Sequence, residues 1–163
     1  MKILTHNDFD GAVSAMLISC MEEIDGIRFT TPERIQRREI EVTKHDIIAD
    51  LPFHPNCGMW FDHHLSNEIE KKFEGRFELA PSAARVVYNY YENPYLEKYK
   101  ELLEATDRID SGVVTLEDIK KPSGYYLLSI TLELDKERWD SDYRRRLIGW
   151  LKDYNVEQIL QFP

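Results

Sequence analysis

Met59-Trp60-Phe61-Asp62-His63-His64 is a short apolar run that ends in a carboxylate and two imidazoles. Three bulky apolar residues suit a core strand. An acid and two adjacent histidines at its mouth do not suit burial, because polar groups without partners are costly to desolvate and charges costlier still. A metal ion is the natural compensating partner. The same pattern recurs twice. Lys2-Ile3-Leu4-Thr5 runs into His6-Asn7-Asp8-Phe9-Asp10-Gly11, and Asp46-Ile47-Ile48-Ala49 runs into Asp50. Each time, a β-like run ends in a group that ligates metal.

Working outward, residues 2–5, 28–30, 47–49, 59–61 and 76–79 read as five strands. Gly11 to Ile24 reads as a helix apolar almost all round, the mark of close packing on a sheet. The charged residues 33–41 read as surface cover. Pro81-Ser82 opens a helix through Tyr91, with Ser82 as N-cap. Strands alternating with helices indicate an α/β fold with a mainly parallel sheet, in three α/β/α layers. Past about residue 94 helical patterns dominate, over roughly 94–106, 115–131 and 141–161. At 163 residues the chain reads as one domain, with an α/β core over about 1–110 and a helical extension over about 111–163.

Composition narrows the function classes. A hydrophobic fraction of 42% argues against disorder. No apolar run approaches the about 20 residues of a membrane span, and Asp8 and Asp10 occupy the place of a signal peptide's apolar region. Cys20 and Cys57 do not form a disulfide framework and read as buried, reduced thiols, which points to a cytoplasmic protein. A net charge of -9 argues against a general grip on duplex DNA, although carboxylates that hold cations would lose part of that charge.

Ligands of open parallel sheets bind outside the carboxyl ends of the strands. That rule gathers His6, Asp8, Asp10, Asp50, Asp62, His63 and His64 at one edge. Clustered carboxylates raise one another's pKa unless a cation lies between them. Mixed carboxylate and imidazole ligands favour Mn²⁺, with Fe²⁺, Co²⁺ or Zn²⁺ also suited and Mg²⁺ suited to the carboxylates. Two such ions suit an in-line phosphoryl displacement. Singly, each residue has a plainer explanation: an N-cap, a turn, a loop histidine. The ordered recurrence at strand ends is what favours a site. His45 and His54 read as surface and loop histidines, Tyr88-Asn89-Tyr90-Tyr91 and Tyr125-Tyr126 as packing, and Arg144-Arg145-Arg146 as a solvated helix face.

His6-Asn7-Asp8-Phe9-Asp10-Gly11, then Asp50, then Asp62-His63-His64, then the acid of Ala105-Thr106-Asp107, resembles the four motifs of the DHH phosphoesterase superfamily. That superfamily includes RecJ-type exonucleases, nanoRNA and cyclic-dinucleotide phosphodiesterases, exopolyphosphatase-related proteins and family II pyrophosphatases. The resemblance covers residues 1 to about 110. It implies that His6 and Asp8 bind one metal, that Asp10, His63 and Asp107 bind a second, and that Asp50 bridges the two. Asp110 is the alternative to Asp107. The resemblance also implies that Asp62 orients a ligand imidazole and that His64 faces the substrate phosphate. Ser82 would open a helix N-terminus toward an anion.

The expected function is therefore a hydrolase: a phosphoesterase with two divalent cations, Mn²⁺ first, with Mg²⁺ or Co²⁺ as alternatives. Its substrate would be a short oligonucleotide, a cyclic dinucleotide or polyphosphate. The pyrophosphatases use a longer first-motif spacing than His6-x-Asp8-x-Asp10, which disfavours pyrophosphate. The family's second, C-terminal substrate-binding domain is not found in these residues, so the chain reads as a shortened form. The runner-up is a metal-binding or nucleotide-sensing module without turnover. No membrane partner is expected, and a homodimer is an open arrangement.

Overall fold

β1 (Lys2–His6), β2 (Gly26–Thr30), β3 (Asp46–Ala49), β4 (Met59–Asp62) and β5 (Gly75–Phe77) form one sheet, all parallel, in the order β2-β1-β3-β4-β5. The structure is a computed structural model and describes residues 1–134 and 141–162. The expected three-layer α/β class holds, and every strand pair is parallel. β3 and β4 are buried along their whole length, which is why they read as continuous apolar runs rather than alternating ones.

Within those runs the two-residue period sorts side chains between layers. Ile3, Ile47, Ala49, Met59 and Phe61 join the larger core, while Leu4, Ile48 and Trp60 face the smaller one. On the larger side α1 (Phe9–Met21) packs against β1 and against α3 (Ala83–Tyr91), α4 (Lys100–Asp110) and α7 (Asp142–Asp153). Neighbours on several sides explain its all-round apolar surface. The other layer is thin: α2 (Pro32–Gln36) supplies Ile35, and Phe53, Phe73 and Phe77 gather round Trp60. Trp60 Nε1 donates to the Leu51 carbonyl at 2.8 Å, so the indole is buried with its polar atom satisfied.

The helical expectations needed adjustment where local breakers act. The 115–131 pattern divides into α5 (Leu116–Lys120) and α6 (Gly124–Leu134), with Pro122 between them, a residue that excludes its predecessor from helical backbone. The 141–161 pattern divides at Asn155, which caps α8 (Val156–Ile159) through a reciprocal bond with Gln158. Pro94–Tyr99 is a 3-10 turn, and α4 then continues to Asp110, four residues beyond the expected end at 106. One reading is overturned. Arg144 is not on a solvated face but 1% exposed. Three consecutive helical residues span most of a circumference, and this one points inward. Its Nε donates to the Asn7 carbonyl at 3.2 Å and its Nη2 to the Leu132 carbonyl at 2.8 Å.

Gly11 permits the close approach of α1 to the end of β1. A Cβ there would lie 2.2 Å from the His6 carbonyl oxygen, a backbone atom with little freedom to yield. Gly11→Ala gains about 1 kcal/mol of helix propensity, but overpacking typically costs about 1–3 kcal/mol, and a contact this short puts it at the upper end. Chemical denaturation is expected to show a net loss of about 1–2 kcal/mol, with metal affinity falling as well because His6 must move.

Candidate metal centre

The order β2-β1-β3-β4-β5 reverses direction between β1 and β3, and the crevice at such a switch point is where α/β sheets bind ligands. His6 closes β1, Asp50 follows β3, and Asp62, His63 and His64 end β4. Asp8 caps α1: its Oδ1 accepts from the Gly11 amide at 2.9 Å, while Oδ2 turns to His6 Nδ1 at 2.6 Å. The plain N-cap reading and the ligand reading thus use different oxygens of one carboxylate.

Asp50, Asp62, His63 and His64 form one group of candidate ligand atoms, and two further sets flank it, His6 with Asp8 and Asp50, and Asp10 with His63 and Asp110; within each group all atoms lie within 4.8 Å of one another. Asp50 borders both, at 3.5 Å from His6 Nδ1 and 3.8 Å from His63 Nε2. His63 Nδ1 lies 3.0 Å from the Ala80 carbonyl. A carbonyl only accepts, so Nδ1 carries a proton, and in the neutral ring Nε2 then presents a lone pair. That lone pair faces Asp110 Oδ2 at 3.3 Å, Asp10 Oδ2 at 3.7 Å and Asp50 Oδ1. His63 Nε2 and both oxygens of Asp50 are buried without a hydrogen-bond partner. Buried orphans of this kind need an explanation, and acceptors converging on acceptors fit a cation.

Electrostatics agree. Burial, and then the charges of Asp8, Asp10 and Asp110, hold the Asp50 carboxyl well above the ordinary range. Burial followed by Asp110 and Asp8 does the same to Asp10, and burial raises Asp110. Asp8 is the exception. Burial opposes its ionisation, but the His6 imidazole and the Gly11 amide outweigh that and lower its pKa. His6 is raised: burial works against its charge, and the bond to Asp8 overcomes it. His64 is raised by its bond to Asp62.

Asp107 is not among the clustered ligands. Its Oδ1 accepts from Ser82 Oγ at 2.6 Å and its Oδ2 pairs with Arg85. Three residues onward on α4, Asp110 faces the cluster instead. The sequence left both open; they lie on one side of α4 about one turn apart, and it is the Asp110 carboxylate that sits with Asp10 and His63. The Ser82 reading also changes. The N-terminus of α3 does meet an anion, but that anion is Asp10, whose oxygens accept from the Ala83 amide at 2.7 Å and the Ala84 amide at 2.8 Å. Ser82 Oγ caps this helix through the Arg85 amide at 3.0 Å. Asp107, Ser82 and α3 therefore form a support behind Asp10.

Asp62 is fully buried and holds His64, not His63: its Oδ1 meets His64 Nδ1 at 2.8 Å, and its Oδ2 accepts from Asn67 Nδ2 at 2.6 Å. Asn67, the Ala80 carbonyl and the Ala83 and Ala84 amides went unnoticed in the sequence. Only the small-residue helix start Ser82-Ala83-Ala84 signalled any of them. His45 is exposed as expected, whereas His54 is a buried loop histidine. Tyr90 and Tyr91 pack on Phe61. Cys20 and Cys57 are half-buried and free, with burial raising the Cys57 thiol to about 11. Among the described residues no helix is long and apolar enough to cross a membrane.

The fold and cluster define a parallel α/β domain with a carboxylate–histidine centre at its switch point. No family model matches the sequence, and no curated protein matches it. Among solved structures, the chain is similar to a pGpG-specific phosphodiesterase, PggH, from Vibrio cholerae, with 32% identity and a TM-score of 0.84 over 99% of this chain and 56% of that one. An uncharacterized protein from Helicobacter pylori G27 shares the fold, at 16% identity and a TM-score of 0.55, over 94% of this chain and 57% of that one. The chain thus spans little more than half the length of either.

Asp10, Asp50 and Asp110 bind protons more tightly when folded than when unfolded. The stability they lend is complete below the ordinary carboxylate range and is lost as pH rises through their raised values. The stabilisation from His6 and His64 is complete below the ordinary imidazole pKa and is lost as pH rises through the raised folded pKa. Asp8 acts oppositely but is fully ionised above pH 6. Metal-free protein in chelator should therefore melt at a higher temperature at pH 6 than at pH 8. Asp50→Asn should raise the melting temperature in chelator at pH 8, since it removes a repelled charge and Asn tolerates the φ of +55° found at this position. The same variant should lose most of the stabilisation by Mn²⁺, which at one hundred times Kd amounts to about 2.7 kcal/mol in the parent. Mn²⁺ titration should also find Asp110→Asn more damaging than Asp107→Asn, for which loss of an outer support predicts about a 10–100-fold weakening.

Proposed function

We propose that this chain carries the metal centre of a DHH-type phosphodiesterase that holds two divalent cations and hydrolyses a short linear dinucleotide of the pGpG kind. The observation that carries this reading is the pair of ligand sets flanking Asp50, which lies 3.5 Å from His6 Nδ1 and 3.8 Å from His63 Nε2, with His63 Nε2 and both Asp50 oxygens buried and without a hydrogen-bond partner. The likeness to PggH over nearly the whole of this chain supports the phosphodiester class and suggests the substrate.

His6, Asp8 and Asp50 would hold one cation; Asp10, His63 and Asp110, with Asp50 shared, would hold the other. Their carboxylate-rich composition with one imidazole each suits Mn²⁺, with Mg²⁺ or Co²⁺ as alternatives. When bound, such ions supply Lewis acidity toward phosphoryl oxygens and lower the pKa of water. The chain's residues do the rest. Asp62, fixed by Asn67, keeps the His64 ring oriented and favours its protonated form. His64, with a side chain 48% exposed, presents its remaining N–H to a phosphoryl oxygen and stabilises the charge that develops there. The α3 amides keep Asp10 from rotating out of the cluster. Arg85 is engaged with Asp107, so no described basic residue of this support is spare for substrate. A cytoplasmic setting suits both the free thiols and a nucleotide substrate.

Incubation with pGpG and Mn²⁺ should release pG, and chelator should stop the reaction. His64→Ala should lower kcat by about 10²–10³-fold while leaving Mn²⁺ affinity nearly unchanged, whereas Asp110→Asn should lose both. Metal binding without any release of pG would instead identify a non-catalytic metal- or nucleotide-binding module.

A further inference from the structure

The His6-Asn7-Asp8 segment is held from outside the α/β core. Its two ends are ligands, and its centre is the Asn7 backbone. Asp8 caps α1, so the Asn7 carbonyl lies just before the helix and outside its ladder; the first bond of that ladder runs from the Ala12 amide to the Asp8 carbonyl at 3.1 Å. The group that reaches the Asn7 carbonyl is Arg144 Nε, at 3.2 Å, from α7 in the helical extension. The same guanidinium reaches the Leu132 carbonyl near the end of α6 at 2.8 Å and Ser141 Oγ at 3.4 Å. It is among the largest fully buried side chains of the protein. Burying a guanidinium is costly unless its fork is engaged, and apolar packing of α7 on α1 would not require it. Leu147, Ile148 and Leu151 already serve that purpose.

We propose that Arg144 is a positioning residue for the metal centre. By tying the Asn7 carbonyl to α6 and α7, it fixes the backbone between His6 and Asp8 so that both side chains meet Asp50. The arginine fork is suited to this because it is planar and presents several donors in fixed directions, so it can grip two carbonyls from different elements at once. The helical extension is then part of the site's construction and not merely cover for the core. The inference rests on the metal-centre reading for its functional consequence, but the local ordering it describes exists without metal.

The test compares Arg144→Met with Ile148→Ala, a core change on the same helix that does not touch Asn7, at conditions where both are fully folded. In metal-free protein, hydrogen exchange at the Gly11 and Ala12 amides, both of which depend on Asp8, should be at least about tenfold faster in Arg144→Met than in Ile148→Ala. Mn²⁺ affinity should fall about 10–100-fold in Arg144→Met, as for other outer supports of metal ligands, and should be unchanged in Ile148→Ala. Where Arg144→Met does not fold, Arg144→Lys is compared in the same way, since an ammonium cannot reproduce the fork. Equal exchange at Gly11 and Ala12 in the two proteins would overturn the proposal. Faster exchange with no Mn²⁺ binding even by the parent chain would leave Arg144's local role standing and count against the metal-centre reading alone.

Discussion

Four carboxylates, Asp8, Asp10, Asp50 and Asp110, are gathered at the edge of an apolar core, and much of the structure answers to the repulsion among them. Charges of one sign in a medium of low effective dielectric repel strongly, and two of the four are restrained by separate devices. Asp8 is tied to the Gly11 amide and to His6. Asp10 is tied to the N-terminus of α3. The Asp50 carboxylate has no hydrogen-bond partner, and of the four it is the one that a cation would compensate most. Its backbone is correspondingly unusual, with a positive φ that Asp tolerates better than most residues.

The supports come in layers, and each is a hydrogen bond to a group that would otherwise be free to turn. Asp107 holds Ser82, Ser82 caps α3, and α3 holds Asp10. Asn67 holds Asp62, and Asp62 holds His64. The Ala80 carbonyl holds His63. This ordering explains why the histidine pair divides its work. His63, 10% exposed at its side chain, has its tautomer fixed by a carbonyl and offers a lone pair inward. His64, tied to a carboxylate that favours its protonated form, stays half in solvent. The two rings lie close together, with centroids 4.2 Å apart, and both approach Asp50 Oδ1, but each is oriented by a different partner. The surrounding core keeps water from Asp10 and Asp50, which sharpens both the repulsion and the gain from a bound cation.

The sequence by itself determined the strands, the parallel sheet and the edge where the ligands collect. Those depend on short apolar runs and on the polar residues that terminate them, and both are local. It could not choose between Asp107 and Asp110, because both lie on the same side of one helix, about one turn apart, and only the packing of α4 shows which level along its axis meets the cluster. Nor did it separate Asp10's partner from a substrate, since a helix N-terminus binds any anion and only the packing of α3 on α1 shows that the anion is internal. Arg144 was the plainest loss. Three consecutive arginines look alike in sequence, and the direction of each depends on how α7 lies against α1. The tertiary structure alone made that choice, because a guanidinium is buried only where distant carbonyls, here those of Asn7 and Leu132, converge to receive it.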